Sequence, residues 1–179
     1  MDIQTIYQNA IKFAALKHAE KNQTVPGTNL PYVVHLSNVA MEIMAAYHND
    51  AGINLGFALK VALLHDTIED TSATFDEIAN QFDMATAEGV MALTKNNNLP
   101  APEKMPDSLN RIRALPKEVW AVKLADRITN LQEPPQHWGA AKKEAYRKES
   151  IQIWQHLKGA NQCLEQRLAK KINEYERYI

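Results

Sequence analysis

Residues 62–71, Ala-Leu-Leu-His-Asp-Thr-Ile-Glu-Asp-Thr, place His65 and Asp66 at the end of an apolar run and two more carboxylates, Glu69 and Asp70, one helical turn later. On a continuous helix, positions four apart share a face, which sets His65 above Glu69 and Asp66 above Asp70. An imidazole and three carboxylates beside a buried apolar segment are costly unless a cation or a full set of hydrogen bonds offsets their charge. A divalent metal ion would do so. The competing reading is a helix C-terminus whose histidine and acids simply face water.

A second string, residues 123–131, Lys-Leu-Ala-Asp-Arg-Ile-Thr-Asn-Leu, supplies a partner for that cluster. Asp126 sits among small and apolar neighbours, and Asn130, one turn on, points into the same pocket. Alternatively, Asp126 pairs with Lys123 or Arg127 at the surface. His35, three residues after Tyr32, completes a set. His35, His65, Asp66 and Asp126 give two imidazoles and two carboxylates on three helices, suited to Mn, Fe or Zn rather than Mg or Ca, with open positions left for water.

The elements that must position these groups read as helices separated by Pro, Gly and Asn punctuation. Ile3, Ile6, Tyr7, Ala10, Ile11, Ala14 and Ala15 recur at helical spacing behind a possible Asp2 cap, which predicts a first helix to about residue 21. Residues 22–31 are a loop by turn chemistry and lead to Tyr32 and a second helix over about 35–47. Asn54 can cap a third helix, apolar nearly all round as a central helix should be, which ends in His65-Asp66. Thr74-Phe75-Asp76-Glu77 is a capping-box signature, and another helical pattern ends near Thr94. The breakers Asn96, Asn97, Asn98, Pro100, Pro102 and Pro106 predict an irregular loop over residues 95–107. Pro116 opens a further helix, Pro134-Pro135 stops it, and amphipathic helices over about 140–157 and 160–178 follow. The expected fold is all-α, a compact multi-helix bundle forming one domain over residues 1–179.

Composition sets bounds on function. A chain of 179 residues with 45% hydrophobic content buries one ordinary core. Lys and Arg total 20 against 21 Asp and Glu, so a net charge of -1 gives no electrostatic case for a nucleic-acid or anionic-membrane partner. A small anionic ligand needs only a local basic patch. The single cysteine, Cys163, excludes an internal disulfide and a cysteine-rich zinc site and fits a reducing compartment. The N-terminus shows no signal pattern, and no apolar run approaches the roughly 20 residues needed to span a bilayer. These features predict a soluble cytoplasmic protein and leave its oligomeric state open.

His35, then His65-Asp66, then Asp126 form the H...HD...D pattern of the HD-domain metal-dependent phosphohydrolases. The strings over residues 64–71 and 122–131, with Pro31-Tyr32 upstream of His35, resemble the hydrolase domain of RelA/SpoT-type enzymes, and in particular the single-domain small alarmone hydrolases. The resemblance covers a core of about residues 7–168. It implies an HD-domain bundle and a Mn-dependent hydrolysis that removes pyrophosphate from the 3′ position of a nucleotide alarmone such as ppGpp. His35, His65, Asp66 and Asp126 match the metal ligands. Glu69 and Asp70 match the catalytic acidic pair; the alternative is that they only support His65 and Asp66. Asn130 matches a ribose contact and Tyr146 a substrate contact. Lys142 stands where relatives carry arginine, and Lys17, Lys21 and Lys95 are further phosphate candidates. Asn97 falls where relatives carry lysine.

In the loop before Pro31, family members acting on guanosine alarmones usually carry an Arg-Lys pair, whereas this chain has Gln23-Thr24-Val25-Pro26-Gly27. The resemblance therefore leaves the base open between guanosine and adenosine. Two other readings stand beside the pyrophosphohydrolase. One is an HD-class phosphatase releasing orthophosphate from a nucleotide or NADPH, and the other is a non-catalytic HD protein that binds a nucleotide. No GYP signature follows His65-Asp66, which disfavours a cyclic-dinucleotide phosphodiesterase.

Overall fold

The computed structural model describes the whole chain, Met1–Ile179. Ten α-helices run in order: α1 Ile3–Glu20, α2 Val33–Asn49, α3 Leu55–Leu64, α4 Thr67–Asp70, α5 Phe75–Gln81, α6 Met84–Leu93, α7 Ala101–Arg113, α8 Lys117–Asn130, α9 Ala140–His156 and α10 Gln162–Glu174. A short 3-10 turn, Tyr175–Tyr178, follows. The fold is all-α, and its only β pairing is an isolated bridge between Thr24 and Pro31.

Helix starts follow local chemistry. Asp2, Asn54, Asp83 and Asn161 each accept a backbone N–H of the first turn, and Thr74 and Glu77 form the full reciprocal capping box. α3 is the hub. Ala58, Leu59, Val61, Ala62, Leu63 and Leu64 are all fully buried, because α1, α2, α6 and α8 surround it. A side chain at Gly89 of α6 would come within 3.0 Å of Val61 and 3.3 Å of Val119, so only glycine lets α6 lie this close to α3 and α8. One contiguous core of 39 buried residues results.

The chain departs from the sequence expectation in two places. Residues 95–107 are not a loop throughout, since α7 begins at Ala101 and carries Pro102 in its first turn and Pro106 inside it. Pro102 costs nothing there, because first-turn N–H groups have no helical partner. Pro106 forfeits one hydrogen bond, about 3 kcal/mol, but Met105, Leu109 and Ile112 bury on one face at about 1.5–3 kcal/mol each, which outweighs it. Arg111 on the same helix donates to the carbonyls of Met91, Ala92 and Thr94, fastening α7 to the end of α6. The second departure lies at the centre of the candidate site. The helix through His65 is not continuous: α3 stops at Leu64, Asp66 has φ -100 and ψ -1, and α4 is a single turn. His65 Nδ1 and Thr67 Oγ1 take up the carbonyls of Ala62 and Leu64 at 2.8 and 2.6 Å. Asp66 and Asp70 stay one turn apart, joined by the bond from the Asp70 N–H to the Asp66 carbonyl at 2.9 Å, but the side chains of Glu69 and Asp70 take partners other than His65 and Asp66.

Candidate metal centre and substrate pocket

Three helical segments bring the donors together. His35 comes from the first turn of α2, His65 and Asp66 from the break between α3 and α4, and Asp126 from the inner face of α8. His35 Nε2 lies 3.4 Å from His65 Nε2, 3.5 Å from Asp126 Oδ1 and 3.8 Å from Asp66 Oδ2. His65 Nε2 lies 3.0 Å from Asp66 Oδ2 and 3.7 Å from Asp126 Oδ1. Neighbouring ligands held at about 2.0–2.2 Å from one ion are themselves about 2.8–3.6 Å apart, so separations of 3.0–3.8 Å lie within a few tenths of an ångström of a coordination shell.

The donor chemistry agrees. His65 Nδ1 donates to the Ala62 carbonyl, which leaves Nε2 as a lone pair facing a second imidazole nitrogen and two carboxylate oxygens. Acceptors facing acceptors in a buried site need a cation between them. In the absence of an ion that cation is a proton: burial opposes charge on His65, but Asp66 and Asp126 outweigh it and raise its pKa well above the usual histidine value. Burial likewise pushes Asp126 and Asp66 up, and Lys123 with the imidazoles for the first, and His65 for the second, hold both below the usual carboxylate range. The residues present therefore fit a divalent metal ion.

Further groups brace the donors. Tyr32 donates its hydroxyl to Asp66 Oδ2. Lys123 Nζ lies 3.1 Å from Asp126 Oδ2, and Asn130 Nδ2 donates to Asp126 Oδ1 at 2.5 Å. The lysine pairing contemplated for a surface Asp126 thus exists, but inside the site, where Lys123 is 8% and Asp126 7% exposed. Glu69 accepts from Lys95 twice, through the backbone N–H at 2.9 Å and Nζ at 2.8 Å. Asp70 Oδ2 accepts from Gln23 Nε2 at 2.9 Å. Burial raises the Asp70 carboxyl above its usual value against the Gln23 hydrogen bond.

Two cavities meet at the donors. One, about 270 Å³, is bordered by His65, Asp66, Glu69, Asp70, Lys95 and Lys123 and is strongly polar. The other, about 250 Å³, runs past His35 under the loop that carries Val25, Pro26, Thr28 and Leu30, and is closed by Glu133 and Trp138. Asn130 and Tyr146 line both. Arg127, buried beneath them, stacks 4.2 Å from the Tyr146 ring and pairs with Glu149, which fixes the tyrosine in the shared wall. Burial, opposed by Arg127, pushes the Tyr146 hydroxyl up to about 12, so it stays a neutral donor.

The peripheral lysines lie elsewhere. Lys17 pairs with Glu77 at 2.8 Å, Lys21 is exposed at the end of α1, and neither borders these cavities. Lys142 Nζ sits 4.2 Å over the Trp138 ring at the rim of the second cavity. The sequence assigned no role to His18 or to the Gln23 side chain, and offered Lys123 and Arg127 only as surface partners of Asp126. A lysine and an arginine at both ends of the Leu-Ala-Asp string were the available signal for the last two.

A family model of the HD domain matches residues 10–163. The chain belongs to the HD-domain family. Among relatives of this HD-domain chain, the Mus musculus protein named guanosine-3′,5′-bis(diphosphate) 3′-pyrophosphohydrolase MESH1 is 32% identical over 170 residues, 92% of each chain. The Danio rerio protein of the same name is 31% identical over 169 residues, covering 92% of this chain and 91% of its own. A solved structure described as a metazoan ortholog of SpoT that hydrolyzes ppGpp superposes with a TM-score of 0.79 at 25% identity over 97% of both chains.

Proposed function

We infer that this HD-domain protein is a metal-dependent hydrolase that releases pyrophosphate from the 3′ position of ppGpp. The observation that carries the reading is the gathering of four donor atoms where two cavities meet, with the Glu69-Asp70 pair bordering the polar one, in a chain whose relatives bear that activity in their names. His35, His65, Asp66 and Asp126 would hold the ion, manganese in this reading. When bound, it supplies Lewis acidity at the phosphoryl group.

The chain's own residues divide the remaining work. Both Glu69 oxygens are committed to Lys95, so Glu69 sets that ammonium beside the phosphates. Asp70 Oδ1 has no hydrogen-bond partner in the protein, and burial brings its carboxyl closer to neutrality, as suits the group that accepts the proton of the attacking water. Lys95 and Lys123 offset the charge of the departing pyrophosphate. Asn130 and Tyr146, in the shared wall, hold the ribose between the two cavities.

The nucleoside then occupies the cavity beneath residues 25–30, where Pro26, Leu30 and Trp138 offer apolar surface and Glu133 a carboxylate. A carboxylate accepts from the two donors at guanine N1 and N2, whereas adenine presents an acceptor at N1, which favours guanosine. The test is a product assay of the Mn-loaded protein with ppGpp, its adenosine counterpart and NADPH, resolving pyrophosphate from orthophosphate. Pyrophosphate from ppGpp is the expected result. Orthophosphate alone would assign the site to a phosphatase, and metal binding without turnover would assign it to a non-catalytic protein.

A further inference from the structure

Gln23 stands in the loop that lacks an Arg-Lys pair, and its side chain spans two elements. Gln23 Nε2 donates to Asp70 Oδ2 at 2.9 Å, and Gln23 Oε1 lies 2.6 Å from His18 Nδ1. The direction of this chain follows from its end. A carboxylate only accepts, so the Gln23 amide must present nitrogen to Asp70 and oxygen to His18, and His18 must donate from Nδ1. The surroundings of the ring agree. His18 is 2% exposed, and Nε2 has no partner. An unpartnered lone pair there costs less than a buried, unpartnered N–H, and the other tautomer would also set Nδ1 and Oε1 lone pair against lone pair. Burial holds the ring neutral by lowering its pKa.

The backbone beneath Gln23 is fixed on both sides. Its N–H donates to the His18 carbonyl at 3.1 Å, and its C=O accepts from Tyr32 N–H at 3.2 Å. The His18 ring also stacks on Tyr32, centroids 4.6 Å apart, and Tyr32 donates to Asp66. Two residues beyond Gln23 the same loop begins to wall the nucleoside-side cavity, at Val25. An amide held this firmly restricts the rotation of Asp70 about its side-chain bonds and leaves Oδ1 unengaged.

We propose that Gln23 is the positioning residue of Asp70, with His18 as its anchor, so that the substrate loop and the proton-accepting carboxylate are set by one hydrogen-bonded chain. The proposal rests on the pyrophosphohydrolase reading for its kinetic consequence, but not for its geometry. Gln23→Met keeps length and removes both hydrogen bonds. It is expected to lower kcat about tenfold, to change KM less than twofold and, because the buried His18 ring loses its one hydrogen-bond partner, to lower the unfolding midpoint while the protein stays folded under assay. In an Asp70→Asn background the same substitution should change the residual rate less than twofold, because the group it acts through is gone. Equal losses in both backgrounds, a change confined to KM, or no change would overturn the assignment.

A second measurement requires no turnover. A long-range 1H–15N spectrum of the metal-free, 15N-labelled protein, with His18 assigned by its loss in His18→Asn, reads which ring nitrogen carries the proton. Neutral histidine in water favours Nε2–H; here Nδ1–H is expected, reverting in Gln23→Met. A His18 that carries its proton on Nε2 in the parent protein would overturn the chain even where ppGpp is hydrolysed. A protein that hydrolyses no ppGpp but shows the Nδ1–H signature would lose the proposed reaction and keep the positioning.

Discussion

Lys123 Nζ lies 3.1 Å from Asp126 Oδ2, one turn apart on α8, and neither side chain is more than 10% exposed. The lysine is a resident cation at the edge of a site built from acceptors. Removing one partner of a buried pair costs about 3 kcal/mol, because the other charge stays uncompensated. Lys123→Met, which keeps the apolar stem, is expected to destabilise the metal-free protein by about that amount and the manganese-saturated protein by less. Urea unfolding with and without the ion measures the difference, and equal losses would show that Lys123 does not neutralise the donors.

Asp66→Ala and Asp126→Ala each delete a charged donor of the set. Loss of an outer supporting partner already weakens metal affinity about 10–100-fold, so loss of a donor is expected to weaken it by more than about 100-fold and to abolish turnover. Calorimetric titration with manganese, alongside pyrophosphate release, checks both halves. Full activity in either variant would remove that aspartate from the ligand set.

The acidic pair separates by its partners. Asp70→Asn removes the free carboxylate oxygen and is expected to lower kcat about 100- to 10,000-fold with metal affinity retained. Glu69→Gln still accepts from the Lys95 backbone N–H and should act chiefly on KM. The reverse pattern in steady-state kinetics would make Glu69 the proton acceptor.

Asp83 caps α6 through Thr86 N–H at 2.7 Å and pairs with Lys60. Partial burial raises its carboxyl, but Lys60 and the Thr86 hydrogen bonds outweigh it and leave the pKa lowered from 3.8. A depressed folded-state pKa contributes stability that is present above the unfolded value and is lost as pH falls through the folded value. Asp83→Asn keeps the cap but not the charge, and with the Asp83 side chain 41% exposed solvent screens the pair, so the expected loss at pH 7 is about 0.5 kcal/mol. Denaturant midpoints of the two proteins should converge as pH falls below 3.8 and through the lowered folded-state value; a gap that persists at lower pH would assign the effect to the cap alone.

Much of this was legible in residue order. Helix starts at Asp2, Asn54 and Thr74 follow from capping chemistry that needs no tertiary partner, and an aspartate among Leu124, Ala125 and Ile128 announces an inward carboxylate. What was not legible depends on groups far apart in sequence. The proline-bearing turns of α7 are stabilised by burial of Met105, Leu109 and Ile112, which local propensity does not register. The break after Leu64 is the local exception: His65 and Thr67 turn back onto carbonyls three residues earlier, which apolar periodicity does not register. Gln23 in sequence marks only the absence of a cationic pair, and its bond to Asp70, 47 residues on, appears only when α1 and α4 are packed together.

The donors also emerge from the ribosome in a fixed order: His35, the His65-Asp66 pair, and last Asp126. Since Asp126 lies on α8, whose neighbour Arg127 is held by Glu149 and Ser150 of α9, a nascent chain carries three of the four donors but cannot close the set until most of its length has been made. Completion of the donor set is therefore a late event in the life of the polypeptide.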